Sequence, residues 1–144
     1  MASSPAPTFA EMYEHSLVGS LFKPWAELVV GHVDPRPGER FLDVACGTGI
    51  VARVVKERLG AGTNIVGVDL NPLMLAVARN AAADIDWRQG DASSLPLEAG
   101  EQFEVVVCQQ GLQFFPDKPA AVRQMRRALA PGGRLAVSTW RPDE

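Results

Sequence analysis

The stretch Phe41-Leu-Asp-Val-Ala-Cys-Gly-Thr-Gly-Ile-Val-Ala52 constrains this chain more than any other. An apolar run ends in two glycines, and a helical pattern starts at once. Ile50, Val51, Val54 and Val55 are apolar, with charge at Arg53, Lys56, Glu57 and Arg58. The pattern predicts a strand, a tight turn and an amphipathic helix. Glycine permits positive φ in such a turn and leaves no Cβ between the backbone and a ligand. The helix start supplies unpaired N–H groups and a partial positive charge. Together these point first to a nucleotide-like ligand.

The glycine spacing leaves two readings open. Gly47, Gly49 and Ala52 fit G-x-G-x-x-G/A, the dinucleotide fingerprint, and Asp69 follows 20 residues after Gly49. A nicotinamide-dependent oxidoreductase is therefore one reading. Asp43 favours another, because a carboxylate inside an apolar strand is costly unless it meets a cation or several donors.

The rest of the chain alternates strands and helices. Thr8-Phe-Ala-Glu11 fits a capping box and predicts a helix to about Ser16, with Gly19 as punctuation. Leu21, Phe22, Trp25, Leu28 and Val29 predict a second helix with one buried stripe, ending near Gly31. After the central unit come a strand at Ile65–Val68 and a helix opened by Asn71-Pro72. A short strand at Ile85–Trp87, a loop from Ala92 to Gly100 and a strand at Phe103–Cys108 follow. Lys118 to Leu129 reads as a helix with Ala121, Val122, Met125 and Leu129 inward. Pro131-Gly-Gly133 should turn it into a last strand, Arg134–Trp140. Such alternation implies an α/β fold, a doubly wound and mainly parallel sheet with helices on both faces. Ligands of such sheets bind beyond the carboxyl ends of the strands. Asp43, Asp69, Asp91 and Gln109-Gln110 all fall on that rim.

Composition bounds the function. The chain has 144 residues, 47% of them apolar, enough for one domain with a core. A net charge of −3 argues against a nucleic-acid partner, and Arg123, Arg126 and Arg127 read as a solvated helix face. No apolar run approaches the roughly 20 residues of a membrane helix. Met1 to Pro7 reads as a frayed start and not as a secretory signal, so a cytoplasmic location is expected. Cys46 and Cys108 form no metal or disulfide framework and read as small buried thiols. Tyr13, Phe22 and Trp25 read as packing. His15 and His32 are isolated, which gives no hydrolase triad.

The ordered series Phe41–Gly49, Gly67-Val-Asp-Leu70, Gly90-Asp-Ala92, Phe103–Phe115 and Arg126–Trp140 resembles the successive motifs of class I S-adenosylmethionine-dependent methyltransferases. It looks closest to the small-molecule group that includes quinone-biosynthesis C-methyltransferases, over about residues 40 to 140. The resemblance implies a Rossmann-like sheet of order 3-2-1-4-5. It implies a cofactor domain over residues 39–144 and an amino-terminal helical cap or lid over residues 1–38. It implies S-adenosylmethionine as cofactor and S-adenosylhomocysteine as product. Asp43 and the backbone of Ala45, Cys46, Gly47 and Gly49 would then hold the methionine part. Asp69 would accept from the ribose hydroxyls, Leu70 and Met74 would flank the adenine, and Asp91 and Ala92 would meet its edge. Gln109, Gln110 and Leu112 would line the floor near the reacting methyl group.

The implied reaction is an in-line displacement in which the protein mainly aligns donor and acceptor; no catalytic residue is assigned. Cys108-Gln-Gln-Gly-Leu112 stands where amino-methyltransferases often carry [N/D]-P-P-[Y/F], which favours a small-molecule carbon or oxygen acceptor. Against the family pattern, the chain reads as truncated after its fifth strand. That leaves a non-catalytic cofactor-binding or interaction module as a further reading. It also leaves the fifth strand as an apolar edge, where self-association into a homo-oligomer is expected.

Overall fold

A computed structural model describes residues 4–141. Parts of the expected frayed start and of the final Arg141-Pro-Asp-Glu144 lie outside those residues, at 1–3 and 142–144.

The chain enters through one long helical path. Thr8 caps it as expected: its Oγ1 accepts from Glu11 N at 3.2 Å, and Glu11 Oε2 accepts from Thr8 N at 2.6 Å. Helix α1 (Phe9–Tyr13) passes into a π-helix (Glu14–Phe22) and then into α2 (Lys23–Val33). The expected break at Gly19 does not occur. A single glycine weakens a helix by about 1 kcal/mol without ending it. The wide i→i+5 register, closed by Lys23 N donating to Val18 O, hands over to Pro24, which has no N–H to give. Helix α2 also outruns Gly31 and stops at Asp34, a left-handed cap at φ 44°.

The buried stripe of α2 differs from the expected one as well. Ala26, Val30 and Val33 face the core, whereas Leu28 is 71% exposed and Trp25 lies against Trp140, ring centroids 5.2 Å apart. Small residues on the inner face let α2 approach α3 closely, which displaces the large ones outward.

Five parallel strands form one sheet in the order β3-β2-β1-β4-β5, the expected order. They are β1 (Phe41–Val44), β2 (Ile65–Asp69), β3 (Asp86–Gln89), β4 (Phe103–Gln109) and β5 (Leu129–Ser138). Helices α2, α3 (Ile50–Leu59) and α4 (Pro72–Ala81) cover one face, packed on Phe41, Ile65, Trp87, Val105 and Val107. Helix α5 (Lys118–Ala128) covers the other, packed on Leu42, Val44, Val66, Val106 and Cys108. Central β1 is buried on both faces, as its apolar run, interrupted by Asp43 alone, requires.

Three boundaries shift. Strand β3 runs to Gln89, and Ile85 is buried just before it. Strand β5 already pairs at Leu129, opposite Phe103, and regains register at Arg134, opposite Val105. Pro131-Gly-Gly133 is thus a bulge within the strand and not a turn before it, with Gly132 at φ 74°. Trp140 lies beyond the strand. On α5 the inward stripe is Ala121, Met125 and Ala128, while Val122, one residue round the helix, is exposed.

Arg134 ties β5 to the end of α2, donating to Val33 O at 2.8 Å and pairing with Glu39 at 2.6 Å. Among the described residues no helix is long and apolar enough to cross a membrane.

Candidate functional site

The site is built on the turn between β1 and α3. Gly47 and Gly49 adopt φ 58° and 85°, and Ala45, a residue with a Cβ, adopts φ 56°. Left-handed backbone at a non-glycine residue costs roughly 1–2 kcal/mol and tends to be kept where a site needs it. The two glycines serve different ends. A Cβ on Gly47 would meet nothing within 4 Å, so this glycine borders open space. A Cβ on Gly49 would stand 2.2 Å from Trp87 Cη2, so this one makes room for the indole.

Carboxylates already hold the turn's amides. Asp69, at the end of β2, accepts from Gly47 N on Oδ2 and from Asn71 N on Oδ1, both at 2.8 Å. Asp43, buried in β1, accepts from Ala52 N at 3.1 Å and so caps α3, whose N-cap Gly49 has no side chain to do it. Asp91, after β3, accepts from Ser93 N and Oγ at 2.8 Å, and these bonds lower its pKa. From the amino-terminal side Glu14 accepts from Thr48 Oγ1 at 2.5 Å and from Arg53 Nη1 at 2.6 Å, fastening the π-helix to the turn.

Two cavities flank this turn. The larger, about 360 Å³, is lined by Asp69, Leu70 and Met74 on one side and by Asp91, Ala92 and Phe115 on the other. The smaller, about 210 Å³, is lined by Tyr13, Phe22, Asp43, Cys46, Gly47, Gln109 and Trp140. Ala45, Gln110 and Phe114 border both. No Lys, Arg or His among the described residues lines either cavity. The local field is negative: Asp69, Glu14 and Asp43 reinforce burial in raising the Tyr13 phenol to about 12, which keeps it a neutral donor. Burial raises Cys46 and Cys108 too, so both thiols stay protonated and unreactive.

A turn of this form between β1 and α3, under acids from the next two strand ends, agrees with the sequence comparison: the Methyltransferase domain family matches residues 42–137. The chain belongs to that family. Its similarity to the 2-phytyl-1,4-naphtoquinone methyltransferase of Synechococcus elongatus is 32% identity over 138 residues, 92% of this chain and 58% of the relative. To the nocamycin O-methyltransferase of Saccharothrix syringae it is 38% over 122 residues, 81% of this chain and 43% of the relative. Among solved structures, S-adenosylmethionine-bound CalS10, an amino pentose methyltransferase from Micromonospora echinaspora, superposes with a TM-score of 0.75 at 28% identity. That match covers 96% of this chain and 59% of CalS10. The chain thus spans between 43% and 59% of the length of these methyltransferases.

Within this methyltransferase domain, eleven of the thirteen residues singled out from the sequence line a cavity, namely Asp43, Ala45, Cys46, Gly47, Asp69, Leu70, Met74, Asp91, Ala92, Gln109 and Gln110. Gly49 and Leu112 line neither. Phe114, Phe115 and Trp140 also line the cavities without a local sequence signal for it, and Tyr13 and Phe22 read as packing within an expected amino-terminal lid. Tyr13 does stack on Phe22 at 5.3 Å, yet both also wall the smaller cavity. The capping box at Thr8–Glu11 signals the start of a helix but not where that helix packs.

Among the described residues four side-chain polar atoms, at the end of β4, in the 3-10 turn Leu112–Phe114 after it and at the end of β5, are buried without a partner in the protein: Gln109 Oε1, Gln110 Nε2, Gln113 Oε1 and Ser138 Oγ. Each such atom ordinarily costs about 1–3 kcal/mol.

Asp43 should dominate the pH dependence. Burial raises its pKa from 3.8 to about 8, partly opposed by the Ala52 bond and assisted by Asp69. The folded chain then holds a proton that the unfolded chain releases near pH 4, so stability falls as pH rises from about 4 to about 8. The expected slope is roughly one kcal/mol per pH unit. Asp43→Asn should flatten it, and urea unfolding of both proteins between pH 5 and 8 checks this. Parallel pH profiles would count against the assignment.

Proposed function

We propose that this domain binds S-adenosylmethionine and serves methyl transfer to a small-molecule carbon or oxygen acceptor. The observation that carries this reading is the state of the turn's amides. A dinucleotide pyrophosphate needs free N–H groups at the glycine turn and helix start. Here Gly47 N is given to the carboxylate of Asp69 and Ala52 N to the buried, protonated carboxyl of Asp43. A negative pocket without a cation suits a cationic ligand and repels a dianionic one. When bound, S-adenosylmethionine supplies a methyl group on a positively charged sulfur that leaves without further activation.

The chain's own residues then bind and orient. Asp43 and the open face of Gly47 suit the charged amino-acid end. Asp69 has acceptor capacity left on both oxygens for a diol, since each carboxylate oxygen carries two lone pairs. Leu70, Met74 and Phe115 offer apolar faces to a base, with Asp91 at its edge. Tyr13 and Phe22 exclude water from the smaller cavity. The Glu14 bonds to Thr48 and Arg53 support the reading of residues 1–38 as a lid. Alignment of this kind lowers a barrier by roughly 7–11 kcal/mol, and an acceptor that must lose a proton needs a base in addition.

Calorimetric titration with S-adenosylhomocysteine, NAD⁺ and NADH tests the proposal. Heat from the first alone is the expected result; heat from the nicotinamides alone overturns it. Self-association through β5 is part of the same proposal. It is supported by the strand's place at the sheet edge and by exposed Leu135 and Val137. Light scattering should give a mass above the 15.5 kDa monomer; a monomer at high concentration removes this part.

A further inference from the structure

We infer that Asp43 tells the methyl donor from its demethylated product by charge: it gives up a proton when the cationic donor occupies the smaller cavity and takes one back when the neutral product is left there. The inference rests on the methyl-transfer reading and concerns how that same site selects between its two ligands.

Asp43 is buried within β1 and lines the smaller cavity just before the glycine turn. Its Oδ2 accepts from Ala52 N at 3.1 Å. Its Oδ1 has no donor among the described residues, yet it is not one of the four orphan atoms shut inside the protein. Oδ1 is therefore the oxygen that an occupant of the cavity meets. A buried carboxyl with one amide donor and no cation beside it keeps its proton. Every element packed around Asp43 leaves that charge uncompensated. Asp69 at the end of β2 opposes ionisation. Tyr13 of α1, Cys46 of the turn and Cys108 of β4 are held neutral. Glu14 of the π-helix and Arg53 of α3 are paired with each other. Only the Ala52 amide and the start of α3 favour the anion. A positive charge that would complete the ionisation has one place to come from, the cavity itself.

The cavity is small enough for this to matter. A space of about 210 Å³ is on the order of 7 Å across, and at that range a positive charge moves the ionisation of a buried carboxyl by more than about tenfold. Donor and product share an ammonium and a carboxylate, and the donor adds a sulfonium. Both ligands therefore draw off part of the Asp43 proton, and the donor draws off more. When the S–CH₃ bond breaks, its electron pair stays on a sulfur that is now neutral, and Asp43 recovers a proton from solvent. The sign follows from the proton count. Asp43 is protonated in the free domain up to about pH 8. Binding that releases its proton strengthens as pH rises towards that value, and more steeply for the ligand that releases more.

The test is calorimetric titration of the chain with S-adenosylmethionine and with S-adenosylhomocysteine, each in phosphate and in imidazole. These buffers differ in heat of ionisation, so the difference in measured heat counts the protons released. At about pH 6.5 the donor should release about one proton and the product about half of one or less. Between about pH 5.5 and 8 the preference for donor over product should grow by about tenfold. Asp43→Asn retains an acceptor oxygen for Ala52 N and cannot ionise; it should remove the difference in proton release and flatten the preference. Should that variant fail to fold, the two-buffer count on the unaltered chain still decides. Equal proton counts for the two ligands, a preference indifferent to pH, or a difference that survives in Asp43→Asn overturns the inference. Binding of both ligands with equal counts removes it and leaves the methyl-transfer reading standing; binding of neither removes that reading and the inference with it.

Discussion

Gly49→Ala is expected to destabilise the domain by about 4 kcal/mol, and Gly67→Ala by about 3 kcal/mol, through one shared neighbour. A Cβ on Gly67 would lie 2.4 Å from Trp87 Cε3 and Cζ3; one on Gly49 would lie 2.2 Å from Cη2 of the same ring. Trp87 cannot step aside. It is buried, and its Nε1 donates to Ala82 O at 2.8 Å. The two glycines differ in backbone, since Gly49 sits at φ 85° and Gly67 lies in a regular strand. Trp87→Leu, itself costing about 3 kcal/mol, should therefore rescue them unequally. In that background Gly67→Ala should be nearly neutral, while Gly49→Ala should still cost about 1–2 kcal/mol of left-handed strain. Urea unfolding of the three single variants and the two doubles with Trp87→Leu measures this. If Gly67→Ala costs the same with and without Trp87, the close approach is not what fixes that glycine.

Asp69→Ala should weaken S-adenosylhomocysteine binding by about a hundredfold, and Asp69→Asn nearly as much. The usual conservatism of Asn fails here for a geometric reason. Asp69 accepts from two backbone amides on separate oxygens, and a carboxamide has one acceptor oxygen and one NH₂. Whichever way it turned, a donor would face a donor, and either Gly47 or Asn71 would lose its partner. Loss at Gly47 loosens the turn; loss at Asn71 loosens the start of α4. Asp91→Ala is the contrast, because that carboxylate bonds only within its own Asp91–Ser93 turn; a loss of about tenfold is expected. Calorimetry on the three variants orders them. An Asp69→Asn variant binding like the parent would dismiss the two-amide argument.

Much of this fold could be read from local pattern. The apolar run before Gly47 is a central strand because only a strand covered on both faces needs such a run, and β1 is so covered. Asn71-Pro72 opens α4 because Asn71 Oδ1 accepts from Leu73 N at 2.9 Å and Pro72 has no N–H to waste. The acids at three strand ends met at one rim because parallel strands carry their carboxyl ends to one side. What escaped was set by contacts distant in sequence. The inner face of α2 differs from the one its large residues suggest because closeness to α3 selects Ala26 over Leu28. Gly19 reads as a break in sequence because a π register has no sequence period of its own. Gly49 looks like a ligand-facing glycine in sequence because nothing near it announces Trp87.

The fastening of the glycine turn has a thermodynamic consequence. Asp69 grips it at Gly47, Asp43 at the first turn of α3, Glu14 at Thr48, and Trp87 blocks movement behind Gly49. A loop so held has already surrendered its conformational freedom during folding. Association then need not order it again, and less of the intrinsic contact energy is forfeited. The affinity of this domain should accordingly track the integrity of its folded scaffold: a lesion at Trp87, which lines neither cavity, would register as looser binding through restored disorder in the turn.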